Sequence, residues 1–157
     1  MSRILSALRR RVADRRPPDF VIGGEEQPYL RRWWVIPRNR FFNVYLHHFL
    51  RSDDDRALHD HPWWNVSLLL EGSYLEHTPD GVFLRKPWAL YSRRPEALHR
   101  VQLLGTAQSE RPVWTLFITG PRVRDWGFAC PKGWVPWQVF TAARDGRKGE
   151  LGQGCGE

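Results

Sequence analysis

All six histidines of this chain lie between positions 47 and 99, and His59 and His61 are separated by a single residue. On an extended strand residues i and i+2 project from the same face, so two imidazoles on adjacent pleats can reach one ion. Neutral imidazole is a good ligand for zinc, iron, copper and nickel. A third donor has to come from a neighbouring strand. His99 is the best-placed candidate, because it follows Arg94-Pro95 and opens the run Arg100-Val101-Gln102-Leu103. Asn65 shares the parity of 59, 61 and 63 on an unbulged strand and offers an amide carbonyl as a weak fourth donor. Of His47 and His48, the period of two lets only one face inward. Either can line the cavity or serve as a hydrogen-bonded structural histidine, and His48 is carried as a substrate contact. His77, beside Thr78-Pro79, reads as exposed.

A second constellation is made of arginine and tryptophan. Arg122 and Arg124 flank Val123 and can share one face, which makes a bidentate clamp for a carboxylate or phosphate. The competing reading stacks these arginines on Trp and pairs them with the acidic loop at Asp53, Asp54 and Asp55. Trp63 and Trp64 alternate, so one faces the site and the other the outer layer; Trp63 is the candidate wall. Tyr91 is a candidate substrate contact and proton donor by position alone. No general base stands out: Glu71 lies at the far end of its strand, and Glu76 is no better placed.

The elements that must position these groups are strands. From about residue 20 to 140 the chain is a series of short β-branched and aromatic runs broken by turn residues. They are Phe41–Leu50, Val66–Leu70, Tyr74–His77, Val82–Arg85, Leu98–Leu103 and Val113–Thr119, with Thr78-Pro79-Asp80-Gly81 as a hairpin turn. Helical crossovers have no room between them, so the pattern predicts an all-β antiparallel sandwich or barrel and not a parallel α/β fold. Ile4, Leu5, Leu8 and Val12 are spaced to share one helical face, ahead of Pro17-Pro18. The expected organisation is a basic N-terminal helix over 1–18, a barrel over 19–141 and a flexible C-terminal tail over 142–157.

The stretch His59-Asp60-His61-Pro62-Trp63-Trp64-Asn65-Val66-Ser67-Leu68-Leu69-Leu70-Glu71-Gly72 resembles the first motif of the cupin superfamily. That motif is a His-x-His pair, a Glu four residues on, and an apolar strand ending in Gly. Lys86 to Val101, with Pro95 and His99, is similar to the second motif, and the resemblance spans roughly residues 40–120. It departs from the pattern at Asn65, where the family has Glu, and in lacking the glycines of the second motif. The resemblance implies a single cupin-like jelly-roll barrel with one divalent transition metal on His59, His61 and His99. Iron is the first choice, with zinc, manganese or nickel as alternatives. An ion held by three neutral imidazoles keeps a net +2 and favours an anionic ligand. The implied function is a metal-dependent enzyme acting on a small anionic molecule, in the manner of a three-His dioxygenase or an isomerase. The rival is a non-catalytic small-molecule binder or sensor of the same fold. Barrels of this family often pair, which implies a homodimer.

Composition bounds these readings. The 157 residues, 41% hydrophobic and 26% charged, suit one domain with a sizeable core. The net charge of +7 invites a nucleic-acid reading, with Arg and Trp as phosphate contacts and stacking platforms. Residues 1–16 alone carry six Arg against Asp14, so the surplus belongs to the arm, and the His spacing stays unexplained by nucleic acid. That reading ranks third. No apolar run approaches the roughly 20 residues of a membrane-spanning helix. Cys130 and Cys155 cannot form a disulfide framework and are expected to be reduced, which places the protein in the cytoplasm.

Overall fold

Val113–Thr119 is apolar on nearly every residue, the pattern of a strand covered on both faces. In a computed structural model that describes residues 3–23, 28–53, 57–106, 109–141 and 154–156, this segment lies at the centre of the largest sheet. The strands are β1 (Phe20–Ile22), β2 (Leu30–Trp34), β3 (Asn43–Phe49), β4 (Leu58–His59), β5 (Asn65–Glu71), β6 (Tyr74–Thr78) and β7 (Gly81–Arg85). They continue as β8 (Leu90–Arg93), β9 (Arg100–Leu103), β10 (Gly105–Thr106), β11 (Ser109–Glu110), β12 (Val113–Thr119), β13 (Gly127–Cys130) and β14 (Gly133–Pro136). A short helix α1 (Arg3–Leu8) runs on into a π-helical turn (Arg9–Ala13), and α2 (Trp137–Phe140) follows β14.

Every pairing is antiparallel. The large sheet has the order β1-β2-β3-β12-β5-β8; smaller sheets have the orders β7-β6-β9 and β14-β13-β4, and β10-β11 form a hairpin. Gly72 turns the chain from β5 into β6 at φ +82°, where a Cβ would meet the Pro112 carbonyl oxygen at 2.8 Å, so only glycine fits without strain.

Alternation along the large sheet sorts its side chains into two layers. Outward, Trp33, Leu46, Leu70 and Trp114 form a cluster sealed by Leu5 and Val12 of the N-terminal segment. Leu5 is fully buried, and a leucine so placed contributes about 2 kcal/mol. Ile4, expected on the same face, is half exposed, because one residue before Leu5 rotates it about 100° off that stripe. Inward, Leu69, Tyr74, Val101, Leu103 and Val113 close one part of the barrel, with Phe49 against them.

Two expectations are corrected. Cys130 and Cys155 are joined as a disulfide, and with Trp126 and Trp137 they pack against Ala57, Phe128 and Phe140. The chain therefore returns to β13 at residues 154–156; the rest of the expected tail, apart from these three residues, lies outside the described residues. The acidic loop is described only at Asp53; Asp54 and Asp55 lie outside the described residues as well.

Candidate metal centre

The His-x-His segment is not one continuous strand. β4 stops at His59 and β5 starts at Asn65, with His61–Trp64 irregular between them. Backbone bonds to the loop before β9 replace the ladder. His59 and His99 exchange both N–H···O bonds at 2.9 Å, and the His61 N–H donates to the Pro95 carbonyl at 2.9 Å. Asp60, between the two histidines, faces the other way. Its carboxylate accepts from the Gly127 N–H (2.7 Å), the Trp134 indole (3.0 Å) and Arg124, which pins the segment to β13 and β14.

The structure brings His59, His61 and His99 together, each offering a ring nitrogen, with all three nitrogens within 4.8 Å of one another. The Nε2 atoms of His61 and His99 are 2.8 Å apart, and the ring centroids are separated by 5.2, 4.7 and 5.1 Å. Donors about 2.1 Å from a shared ion lie about 3 to 3.4 Å from each other, so small ring rotations complete the set. Burial, and secondarily the neighbouring imidazole of His99, hold His59 down at about 4 and His61 well below the ordinary histidine value. The rings are thus neutral, the state that binds metal.

Glu76 of β6 lies behind His99, and it is 1% exposed. Its Oε1 is 2.9 Å from His99 Nδ1 and accepts from Arg93 Nε at 2.7 Å; its Oε2 accepts from Arg85 Nε at 2.6 Å. Burial pushes this carboxyl up, but the close contact with His99 and the charge of Arg93 outweigh it and hold the group at about 2. An ionised carboxylate with its oxygens so engaged cannot act as a general base. Its charge faces His99 Nδ1 at 2.9 Å without an aligned hydrogen bond, an arrangement similar to the carboxylate–histidine pairs found behind metal ligands. His59 Nδ1 is 3.9 Å from Asp53 Oδ2 and makes no hydrogen bond. Neutral nitrogens facing each other, with two Nε2 atoms in contact, are a donor set that fits a divalent transition metal.

Asn65 is fully buried, and neither atom of its amide has a hydrogen-bond partner. It stands opposite Thr119 of β12 and Arg93 of β8, and Thr119 is likewise buried and unpaired. Such orphaned groups are costly in a dry interior and suit a polar occupant. Trp63 is half-buried with its indole N–H enclosed and unpartnered. Between the edges of β7 and β8 a cavity of about 470 Å3 leads to His99, lined by Glu76, Phe83, Arg85, Tyr91 and Arg93 among others. Tyr91 therefore lines the same cavity as His99, under the guanidinium of Arg85 at 4.1 Å.

The other sequence candidates lie elsewhere. Arg122 is exposed and pairs with Asp125. Arg124 is taken by Asp60 and lies 5.8 Å over Trp134, so the two do not converge as a clamp. His48 points to the outer layer, where it stacks on Trp114 at 4.0 Å. Burial and the charges of Arg31 and Arg9 hold it at about 4. Its neighbour His47 is the inward one. Glu76, Arg85 and Arg93 were not singled out for the site. Parity with Tyr74 was a signal for Glu76, whereas Arg93 depends on β8, a strand too short to show.

No family model matches the chain, and no curated protein matches it by sequence. Among solved structures, the protein Rru_A2000 of Rhodospirillum rubrum, a cupin-2 domain, matches with a TM-score of 0.56 at 12% identity, over 73% of this chain and 76% of that one. KdgF from Halomonas sp. matches with a TM-score of 0.50 at 14% identity, over 67% and 96%. The chain has the cupin fold. In that cupin frame β4, the loop at Pro95 and β6 are the elements that bring the histidines and their carboxylate into one place.

Proposed function

We propose that this protein is a metal-dependent cupin enzyme acting on a small anionic molecule, with one divalent transition metal held by His59, His61 and His99. The observation that carries this reading is the set of three imidazoles whose ring nitrogens lie within 4.8 Å, two of them, His59 and His61, held neutral by burial, with the Glu76 carboxylate beside His99 Nδ1. A metal bound there would supply a Lewis-acid centre with open positions for an anion and, if it is iron, the capacity to activate dioxygen.

The chain's own residues do the rest. Glu76 sets its negative charge against His99 Nδ1, and Asp60 anchors the backbone that presents His59 and His61. The orphaned amide of Asn65 is suited to a weak fourth donor or to a hydrogen bond with a ligand. Arg85 and Arg93 share a single carboxylate, so one positive charge is left over at the cavity and favours an anion. Phe83 and Tyr91 provide apolar walls that restrict water.

The test is metal analysis of protein purified without a histidine tag and then reconstituted. The reading expects about one ion per chain, lost in His61→Ala. Occupancy below about 0.2 after reconstitution would leave a metal-free binding module as the function. Iron would direct assays to oxygen consumption, and zinc or manganese to isomerase or hydrolase chemistry.

A further inference from the structure

One inward-facing, partly exposed cation of the barrel has no counter-charge among the described residues. Arg32 lies on β2, opposite Phe20 of β1 and His47 of β3. Its guanidinium sits 4.9 Å over the ring of Tyr45 and 6.0 Å from that of Phe20. Its Nε donates to His47 Nε2 at 2.9 Å. Among the described residues no carboxylate pairs with it, in contrast to Arg16, Arg85, Arg93, Arg122 and Arg124. His47 stacks on Phe117 at 5.0 Å, and Phe117 lies 6.0 Å from the ring of His61. Arg32, His47, Phe117 and His61 thus run in sequence along the inner wall towards the imidazole cluster.

A guanidinium has five N–H donors, of which the bond to His47 uses one. The two terminal NH2 groups make no hydrogen bond among the described residues. Arg32 is only partly buried, so these groups are accessible to an anion arriving from solvent.

We propose that Arg32 is the anion anchor of the barrel, binding the carboxylate of a small carboxylic acid whose other end reaches the three imidazoles. The planar fork matches a carboxylate in bidentate geometry. The aromatic faces and the His47 bond hold that fork in one plane before any ligand arrives, so little ordering is needed on binding. A flat carboxylate lies edge-on in the plane of the fork. A tetrahedral phosphate would push two oxygens towards the rings of Tyr45 and Phe20.

The inference rests on the metal reading for where the far end of the ligand goes, but its test does not need the metal. Metal-free protein is titrated with propionate, its uncharged isostere propionamide, and inorganic phosphate, followed by NMR shifts of the His47 ring. Propionate binds and propionamide does not; phosphate binds more weakly. Arg32→Gln weakens propionate at least about tenfold, about what losing one charge-assisted bidentate contact removes, while metal occupancy on reconstitution is unchanged. Arg32→Lys, which keeps the charge and loses the fork, falls between and carries the test if the Gln variant does not fold. Equal binding by wild type and either variant, no discrimination from propionamide, or tighter binding of phosphate overturns the proposal. Absence of metal in the wild type would sink the metal reading and leave this titration intact.

Discussion

Replacing Glu76 with Gln removes one negative charge from a group that is 1% exposed and leaves Arg93, 9% exposed, without its ionic partner. Stripping one partner from a buried ion pair costs about 3 to 5 kcal/mol. The Gln carbonyl can still accept one hydrogen bond, and Arg85 is better hydrated, so the lower end applies. The carboxyl's acidity gives an independent figure. A group held at about 2 instead of 4.5 contributes about 3 kcal/mol when ionised in the fold. Its pKa is depressed, so that contribution is present above pH 4.5 and is lost as the pH falls towards 2. Urea unfolding of metal-free protein at pH 7 should show Glu76→Gln less stable by about 3 kcal/mol, and the gap should close in acid. The second consequence lies at His99, whose Nδ1 loses a charged acceptor. Metal affinity, measured by competition with a chromophoric chelator, should weaken about 10- to 100-fold. A variant within about 1 kcal/mol of wild type, with unchanged affinity, would refute both steps. A stability loss with full affinity would show that His99 holds its orientation without Glu76.

Two further outcomes follow from other parts of the molecule. His59 is held at about 4 instead of 6.5, so its neutral form contributes about 3 kcal/mol above pH 6.5 that is lost as pH falls towards 4. Thermal melts of metal-free protein should therefore decline over that interval, and a flat profile would contradict the burial assigned to the ring. The Cys130–Cys155 bond closes a loop with a sequence separation of 25, worth about 3 kcal/mol by chain entropy. Cys130→Ser should be less stable by up to that amount, and thiol titration of unreduced protein should find no free cysteine. Two free thiols in native protein would overturn the pairing.

Local pattern made much of the barrel legible before any coordinates. Phe41–Leu50, Val66–Leu70, Tyr74–His77, Val82–Arg85 and Val113–Thr119 coincide with β3, β5, β6, β7 and β12 to within one or two residues, because their apolar runs end at turn residues. Leu98–Leu103 overlaps β9, and the pair His59 and His61 stood out for its spacing alone. The strands that escaped notice, β1, β8, β10, β11, β13 and β14, have two to four residues. They are too short for an alternation to show. β2 was missed for a different reason: its Arg31-Arg32 pair hides the apolar register.

Residue types and spacing determined that this chain builds antiparallel strands, that its N-terminal segment is an amphipathic helix, and that two imidazoles can act as a pair. Side-chain period and turn chemistry are local properties, written in adjacent residues. Only the tertiary structure decided that His47 and not His48 looks inward, that Glu76 stands behind His99, that Arg124 is bound by Asp60, and that Cys130 meets Cys155. Each of these is a contact between residues far apart in sequence or a choice between two equivalent registers. Such choices are settled by how sheets pack and where charges find partners, and no short window of sequence contains them.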